Sequence, residues 1–170
     1  MEKWKSFSKH FGNSDGSDLN MIAQSFVLGS LIKSANHHLK NMEPRYRLLV
    51  TPGKLVLKLE DAKNCYATRN TDSISGGESF LVSLALALAL ADFGSHLGVS
   101  TLFIDEGFGT LSGVPLQNAI NTLKALHSDA GRQVGIISHR KEISESIPVQ
   151  IKVTPIPGSS ASTLEVGENI

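Results

Sequence analysis

The chain has one cysteine, Cys65, in 170 residues, so no internal disulfide framework holds it together and a reducing compartment suits it. That thiol is expected to be a small, half-buried side chain. Net charge is also lacking: Lys plus Arg is 16 and Asp plus Glu is 16. This excludes a histone-like or tail-driven polyelectrolyte and leaves only a local basic patch for nucleic acid. The polar start Met1-Glu2-Lys3-Trp4-Lys5-Ser6 has no apolar h-region of a secretion signal. The most apolar run, Phe80 to Phe93, contains Ser83 and Asp92 and falls short of the ~20 residues that cross a bilayer. No Gly-x-x-x-x-Gly-Lys-Ser/Thr loop occurs. Pro52-Gly53-Lys54 comes nearest but has no matching upstream glycine, so the chain lacks its own cradle for α- and β-phosphates.

What is present is core-forming material. Hydrophobic residues make up 41% and charged residues 19%, the balance of a single compact unit; without a signal segment or a membrane-length run it is expected to be soluble and cytoplasmic, with no membrane partner. Gly12 to Asp18 is turn chemistry. Leu19, Ile22, Ala23, Phe26, Leu31, Ala35 and Leu39 then recur at helical spacing, with Asp18 as N-cap, Pro44 as a stop and Gly29 as a place where the helix could divide. Arg45–Val50 and Lys54–Glu60 flank Thr51-Pro52-Gly53 as an antiparallel hairpin with one buried face. Residues 77–93 form a helix with Leu and Ala on every face, expected to be buried nearly all round. Two apolar runs, 99–104 and 133–137, joined by an amphipathic helix over 114–128, make a βαβ unit with parallel strands. Residues 149–153 and 162–166 form a terminal hairpin.

Three segments carry chemistry. Ser75 and Glu78 have capping-box spacing ahead of the apolar helix, which by itself predicts only a well-capped helix. Gly76 and Gly77 in the first turn each cost about 0.8–1.0 kcal/mol relative to Ala, without evident packing return. They would let a phosphate approach bare N–H groups at the positive end of the helix dipole. Asp105-Glu106 ends an apolar strand, where an ionised pair is costly unless it is used. Asp105 can hold Mg²⁺ through its water shell and Glu106 can deprotonate an attacking water; alternatively both cap the loop 107–111. Ser138-His139 ends the next strand. Parallel pairing brings Glu106 and His139 to one sheet edge, where ligands of open α/β sheets sit. The chain therefore reads as half of a nucleotide site.

The order of these motifs resembles that of ABC-type ATPases. Ser75-Gly76-Gly77-Glu78-Ser79-Phe80 is similar to the signature motif, the run ending Asp105-Glu106 resembles Walker B, and Ser138-His139 is similar to the switch histidine. Residues 75–90 and 105–111 resemble more closely the C-terminal ATPase lobe of the SbcC family, SMC-like ATPases of double-strand-break repair. Residues 11–16, 35–36, 45–46 and 147–152 are similar too, so the likeness runs from about Phe11 to Val166. It implies an α/β fold: the C-terminal half of an ABC/SMC-like P-loop NTPase head, with a mixed sheet, a βαβ unit, a buried signature helix and flanking hairpins. Residues 11–170 would be the lobe and residues 1–10 the stub of a coiled coil. ATP and Mg²⁺ are the implied cofactors. The implied partners are an N-terminal Walker A lobe of the same protein, a second head, an SbcD-like nuclease and DNA. Ser75, Gly76, Gly77 and Glu78 would meet the γ-phosphate in trans, Asp105 would support Mg²⁺, Glu106 would be the catalytic base, and His139 would sense the γ-phosphate.

Two positions depart from the family pattern. Ile74 replaces a usual Leu, and Ser112 stands where the D-loop usually has Asp, although Ser112 can still cap the helix that follows. A transport protein of the ABC class usually has Gln after the two glycines and a basic continuation, unlike Glu78-Ser79-Phe80 and the Leu/Ala helix here. A non-catalytic dimerisation lobe and an SMC-like repair ATPase without a nuclease partner stay open. Lys33, His37, His38, Lys40, Arg45 and Arg47 form a basic segment that either touches DNA phosphates or is a solvated helix end.

Overall fold

The computed structural model describes residues 17–51, 55–93 and 101–168. The coiled-coil stub at 1–10, most of the turn at 12–18 and the hairpin turn at 52–54 lie outside the described residues. The first helix, α1 (Ser17–Met42), is unbroken at Gly29 and already includes Asp18, which is therefore not its cap. Its C-terminal half supplies Ile32, Ala35, Leu39 and Met42 to the core, the i, i+3, i+7 stripe of a helix with one buried side. Its N-terminal half leaves Leu19, Phe26 and Val27 exposed.

Strands β1 (Tyr46–Val50) and β2 (Leu57–Asp61) pair antiparallel with Leu48 opposite Leu59, both buried. A third strand, β3 (Ala67–Asn70), adds to β2 and extends the expected hairpin into a meander. The connecting turn holds Cys65 and Tyr66 at φ of +50° and +58°. Cys65 is exposed there, not half-buried.

Helix α2 (Gly76–Phe93) buries Leu81, Val82, Leu84, Ala85, Leu88 and Ala89. It is not buried all round: Ser79, Ser83, Ala87 and Leu90 form an exposed stripe. By length and composition alone this helix could cross a membrane, but its buried side chains belong to the same core as Leu39, Leu48 and Leu59. Asp92, near its end, joins three segments. It accepts hydrogen bonds from His38 Nε2 at 2.7 Å, from Ser34 Oγ at 3.0 Å and from Arg132 Nη1 at 2.9 Å. Burial pushes the Asp92 carboxyl up, but these donors outweigh it and hold the group below the usual carboxylate range.

Strands β4 (Thr101–Asp105) and β5 (Gln133–Ile137) pair in parallel, Thr101 opposite Gln133 and Asp105 opposite Ile137. Helix α3 (Gly113–Ala130) connects them and buries Leu116, Ala119, Ile120 and Leu123. Leu102 and Ile104 pack against the core, while Phe103 and Ile137 are exposed. Parallel strands normally have both faces covered; here, among the described residues, nothing covers the face that carries Phe103 and Ile137. The short helix α4 (Lys141–Ser144) follows, then the antiparallel pair β6 (Val149–Pro155) and β7 (Ser162–Glu168). Ile151 opposite Val166 and Val153 opposite Leu164 lie on one face of this hairpin, between 61% and 70% exposed.

Candidate functional site

The turn entering α2 forms the expected reciprocal cap. The Ser75 N–H donates to Glu78 Oε2 at 2.7 Å and the Glu78 N–H to Ser75 Oγ at 3.4 Å. Gly76 and Gly77 hold the first two helical positions, where N–H groups have no intrahelical acceptor. The glycines do have a packing role, against expectation. A Cβ on Gly77 would lie 3.0 Å from the Thr110 carbonyl oxygen, and one on Gly76 would lie 3.4 Å from the Thr110 methyl. The turn thus rests on the loop that follows Glu106.

Asp105 and Glu106 sit at the C-terminal end of β4, both exposed. The desolvation cost expected for a buried pair is therefore absent; their placement comes from backbone geometry instead. The Glu106 N–H donates to the Ile137 carbonyl at 3.0 Å, continuing the ladder, while φ of +57° turns the residue out of the strand. Left-handed backbone at a residue other than glycine is costly and clusters at functional sites. Gly107 follows at φ of +86°, and the Phe80 ring covers it so closely that a Cβ would lie 2.3 Å from Cε2. Phe80 also stacks edge-on against Phe108 at 4.8 Å. The first turn of α2 and the end of β4 are locked together by this contact. His139 lies past the end of β5, and its Nδ1 stands 3.2 Å from Glu106 Oε1. Two residues 33 apart in sequence meet at one sheet edge, as parallel pairing requires.

Glu78 is held by more than its cap. The Tyr46 hydroxyl and Arg69 Nη2 both donate to Glu78 Oε1, the latter at 3.2 Å. Burial pushes this carboxyl up, but the donors prevail and hold it at about 2. Burial and then Glu78 push the Tyr46 hydroxyl up to about 12. Arg69 reaches on to Asp61 at 3.5 Å, and Arg45 grips Asp61 through Nε at 2.6 Å and Nη2 at 2.7 Å. Tyr46, Arg69 and Asp61 were not visible as partners in the sequence, because only the third strand brings Arg69 to the Ser75–Glu78 turn. The network also takes Arg45 out of the basic segment, as the Asp92 bond takes His38. Lys33, His37, Lys40 and Arg47 stay exposed.

Ser112 occupies the N-cap position of α3 with extended backbone, but its hydroxyl makes no capping hydrogen bond. Among the described residues no group of three or more His, Cys, Asp or Glu side chains could hold a metal ion. A single carboxylate, Asp105, still fits Mg²⁺, which keeps most of its waters and takes one or two carboxylates beside substrate phosphates.

A family profile described as SbcC/RAD50-like, Walker B motif, matches residues 54–125. The chain is 42% identical to the SbcC subunit of nuclease SbcCD from Rhodobacter capsulatus, over 100% of this chain and 14% of that protein. It is 41% identical to the SbcC subunit of the Pseudomonas aeruginosa nuclease, over 96% of this chain and 14% of that one. The chain therefore spans about one seventh of the length of these curated relatives. A structure from work on ATP-driven dimerization and DNA-stimulated activation of SMC ATPases superposes with a TM-score of 0.70 at 16% identity, covering 86% of this chain and 88% of that one. An Smc head bound to the C-winged helix domain of ScpA gives 0.67 at 18% identity, over 95% of this chain and 48% of that one. These two likenesses concern the fold. The chain belongs to the SbcC/RAD50-like family and carries the mixed α/β fold of an SMC-type head.

Proposed function

We propose that residues 11–170 are the C-terminal lobe of an ATP-hydrolysing head that works in the cytoplasm, processing DNA double-strand-break ends with an SbcD-like nuclease. The observation that carries this is the meeting of Glu106 and His139 at the C-terminal edge of β4 and β5, with the Ser75–Gly77 turn seated on the adjoining loop. Glu106, exposed and turned outward, accepts a proton from water as that water attacks the γ-phosphorus; the bond to the ADP oxygen breaks as the new P–O bond forms. His139 orients the Glu106 carboxylate and senses the γ-phosphate. Asp105 would hold Mg²⁺, which when bound would supply positive charge against the nucleotide's phosphates. The Gly76 and Gly77 amides, with Ser75, face the γ-phosphate held by a second head.

The phosphate cradle comes from an N-terminal Walker A lobe of the same protein. Two bare apolar surfaces support such a partner: the Phe103 and Ile137 side of the parallel pair, and the Ile151, Val153, Leu164 and Val166 side of the terminal hairpin. DNA contact falls to the exposed Lys33, His37, Lys40 and Arg47. The chain alone is expected to bind ATP negligibly and to support hydrolysis once the Walker A lobe is added; tight binding by the chain alone would contradict the proposal. In that reconstituted head Glu106→Gln keeps nucleotide binding and head pairing while turnover falls about 100-fold or more, the usual worth of a general base. Unchanged turnover removes Glu106 from that role.

A further inference from the structure

Arg140 follows the site histidine, yet its side chain turns away from that edge. It is 17% exposed and reaches the loop after Glu106: Nη1 donates to the Phe108 carbonyl at 2.7 Å and to the Leu111 carbonyl. Nη2 donates to Glu142 Oε1 at 2.9 Å, which fixes the fork. The two carbonyls bracket Thr110, the residue on which Gly76 and Gly77 rest. The loop has its own ties, Thr110 Oγ1 to the Gly107 carbonyl at 3.1 Å and the Leu111 N–H to the Phe108 carbonyl at 3.0 Å. Arg140 supplies its link to the end of β5. We propose that Arg140 is a positioning residue whose guanidinium straps the 107–111 loop to the His139 end of β5, fixing the spacing between the Glu106–His139 edge and the Ser75–Gly77 turn. A cation donating to two carbonyls makes stronger hydrogen bonds than neutral donors; both bonds come from Nη1, and the second arm, Nη2 on Glu142, holds the guanidinium plane in place, an anchor that a lysine ammonium lacks.

The strap is tested first in this chain by amide exchange, independently of any activity. In Arg140→Gln, the Leu111 amide and the Ser79 amide, which donates to the Ser75 carbonyl, should both exchange about ten-fold faster or more. The Leu48 amide of β1, bonded to Asn36 Oδ1 of α1 and touching neither the loop nor the turn, should not change. Acceleration of Leu111 alone overturns the coupling to the signature turn, and equal acceleration of all three reduces Arg140 to general stabilisation. Arg140→Lys should recover part of the protection.

The consequence for turnover rests on the proposed ATPase function. With the Walker A lobe present, Arg140→Gln should lower kcat about ten- to 100-fold, the scale of a small misplacement of reacting groups, while KM changes less than about two-fold. An unchanged kcat in an active head overturns the positioning role. Absence of hydrolysis by the unsubstituted head counts against the proposed function, and the exchange measurements then still decide the strap.

Discussion

Replacing Glu78 with Gln keeps the side chain's shape and removes its charge, which isolates what the Tyr46–Arg69–Ser75 cradle contributes. The carboxyl sits at about 2 against 4.5 for the free group; each unit is worth about 1.36 kcal/mol, so the ionised form adds roughly 3 kcal/mol to folding. The side chain is only 15% exposed, so solvent screening removes little of this. The folded value is depressed, so the stabilisation is complete above the unfolded value and disappears as pH falls through the folded one. Urea denaturation at pH 7 should therefore place Glu78→Gln roughly 3 kcal/mol below the unsubstituted chain. By pH 3 the gap should narrow to about half, and near pH 2 most of it should be gone. A gap under about 1 kcal/mol at pH 7, or one that stays constant with pH, refutes the assignment of these donors to an ionised Glu78.

Tyr46 tests the same cradle from the alkaline side. Its hydroxyl is raised from 10.0 to about 12, so its contribution is intact below pH 10 and lost as pH rises towards 12; the alkaline loss of stability should be shallower in Tyr46→Phe. Gly107→Ala must place a Cβ 2.3 Å from the Phe80 ring at φ of +86°, costing about 2–4 kcal/mol in thermal denaturation. Part of this should return in the double variant with Phe80→Ala. Leu88→Ala, at a fully buried position, should cost about 2–5 kcal/mol, whereas Val153→Ser, at 61% exposure, should change the stability of this chain by less than about 0.5 kcal/mol. Gly77→Ala should destabilise the chain and Gly76→Ala should leave it as stable or up to about 1 kcal/mol more so, a difference that thermal melts resolve.

Much of the fold was legible because it is carried by local pattern. The i, i+3, i+7 apolar stripe of α1, the alternation around Leu57 and Leu59, and the short apolar runs of β4 and β5 each have a period that one element satisfies. The third strand was not legible. Ala67, Thr68, Arg69 and Asn70 contain no apolar alternation, and the strand exists because β2 offers its edge and because Arg69 can reach Asp61 and Glu78 from there. The exposed stripe on α2 was hidden for a related reason: Ala and Leu occupy all faces in the sequence, and only the packing of α1 and the rest of the core decides which of them are covered. Helix continuity through Gly29 had no local signature either, since a Cβ there meets nothing within 4 Å and the helix there needs nothing from the residue but its backbone.

Gly76 and Gly77 differ in how far packing alone accounts for them. Their cost in a helix points to a bound anion, yet Gly77 has a structural cause of its own, because a Cβ there would stand 3.0 Å from a backbone carbonyl oxygen, which would have to give by a few tenths of an ångström. That carbonyl belongs to Thr110, between the two carbonyls that Arg140 holds, so the loop has little freedom to retreat. Gly76 differs. Its missing Cβ would meet only the Thr110 side chain, with the methyl at 3.4 Å, an ordinary contact, so packing does not demand glycine there. An alanine would fit and would strengthen the helix. What alanine would alter is the approach to the first helical amide from outside, where α2 presents its positive end to solvent. Packing thus gives no reason for glycine at position 76, and the proposed approach of an anion to that amide would supply one.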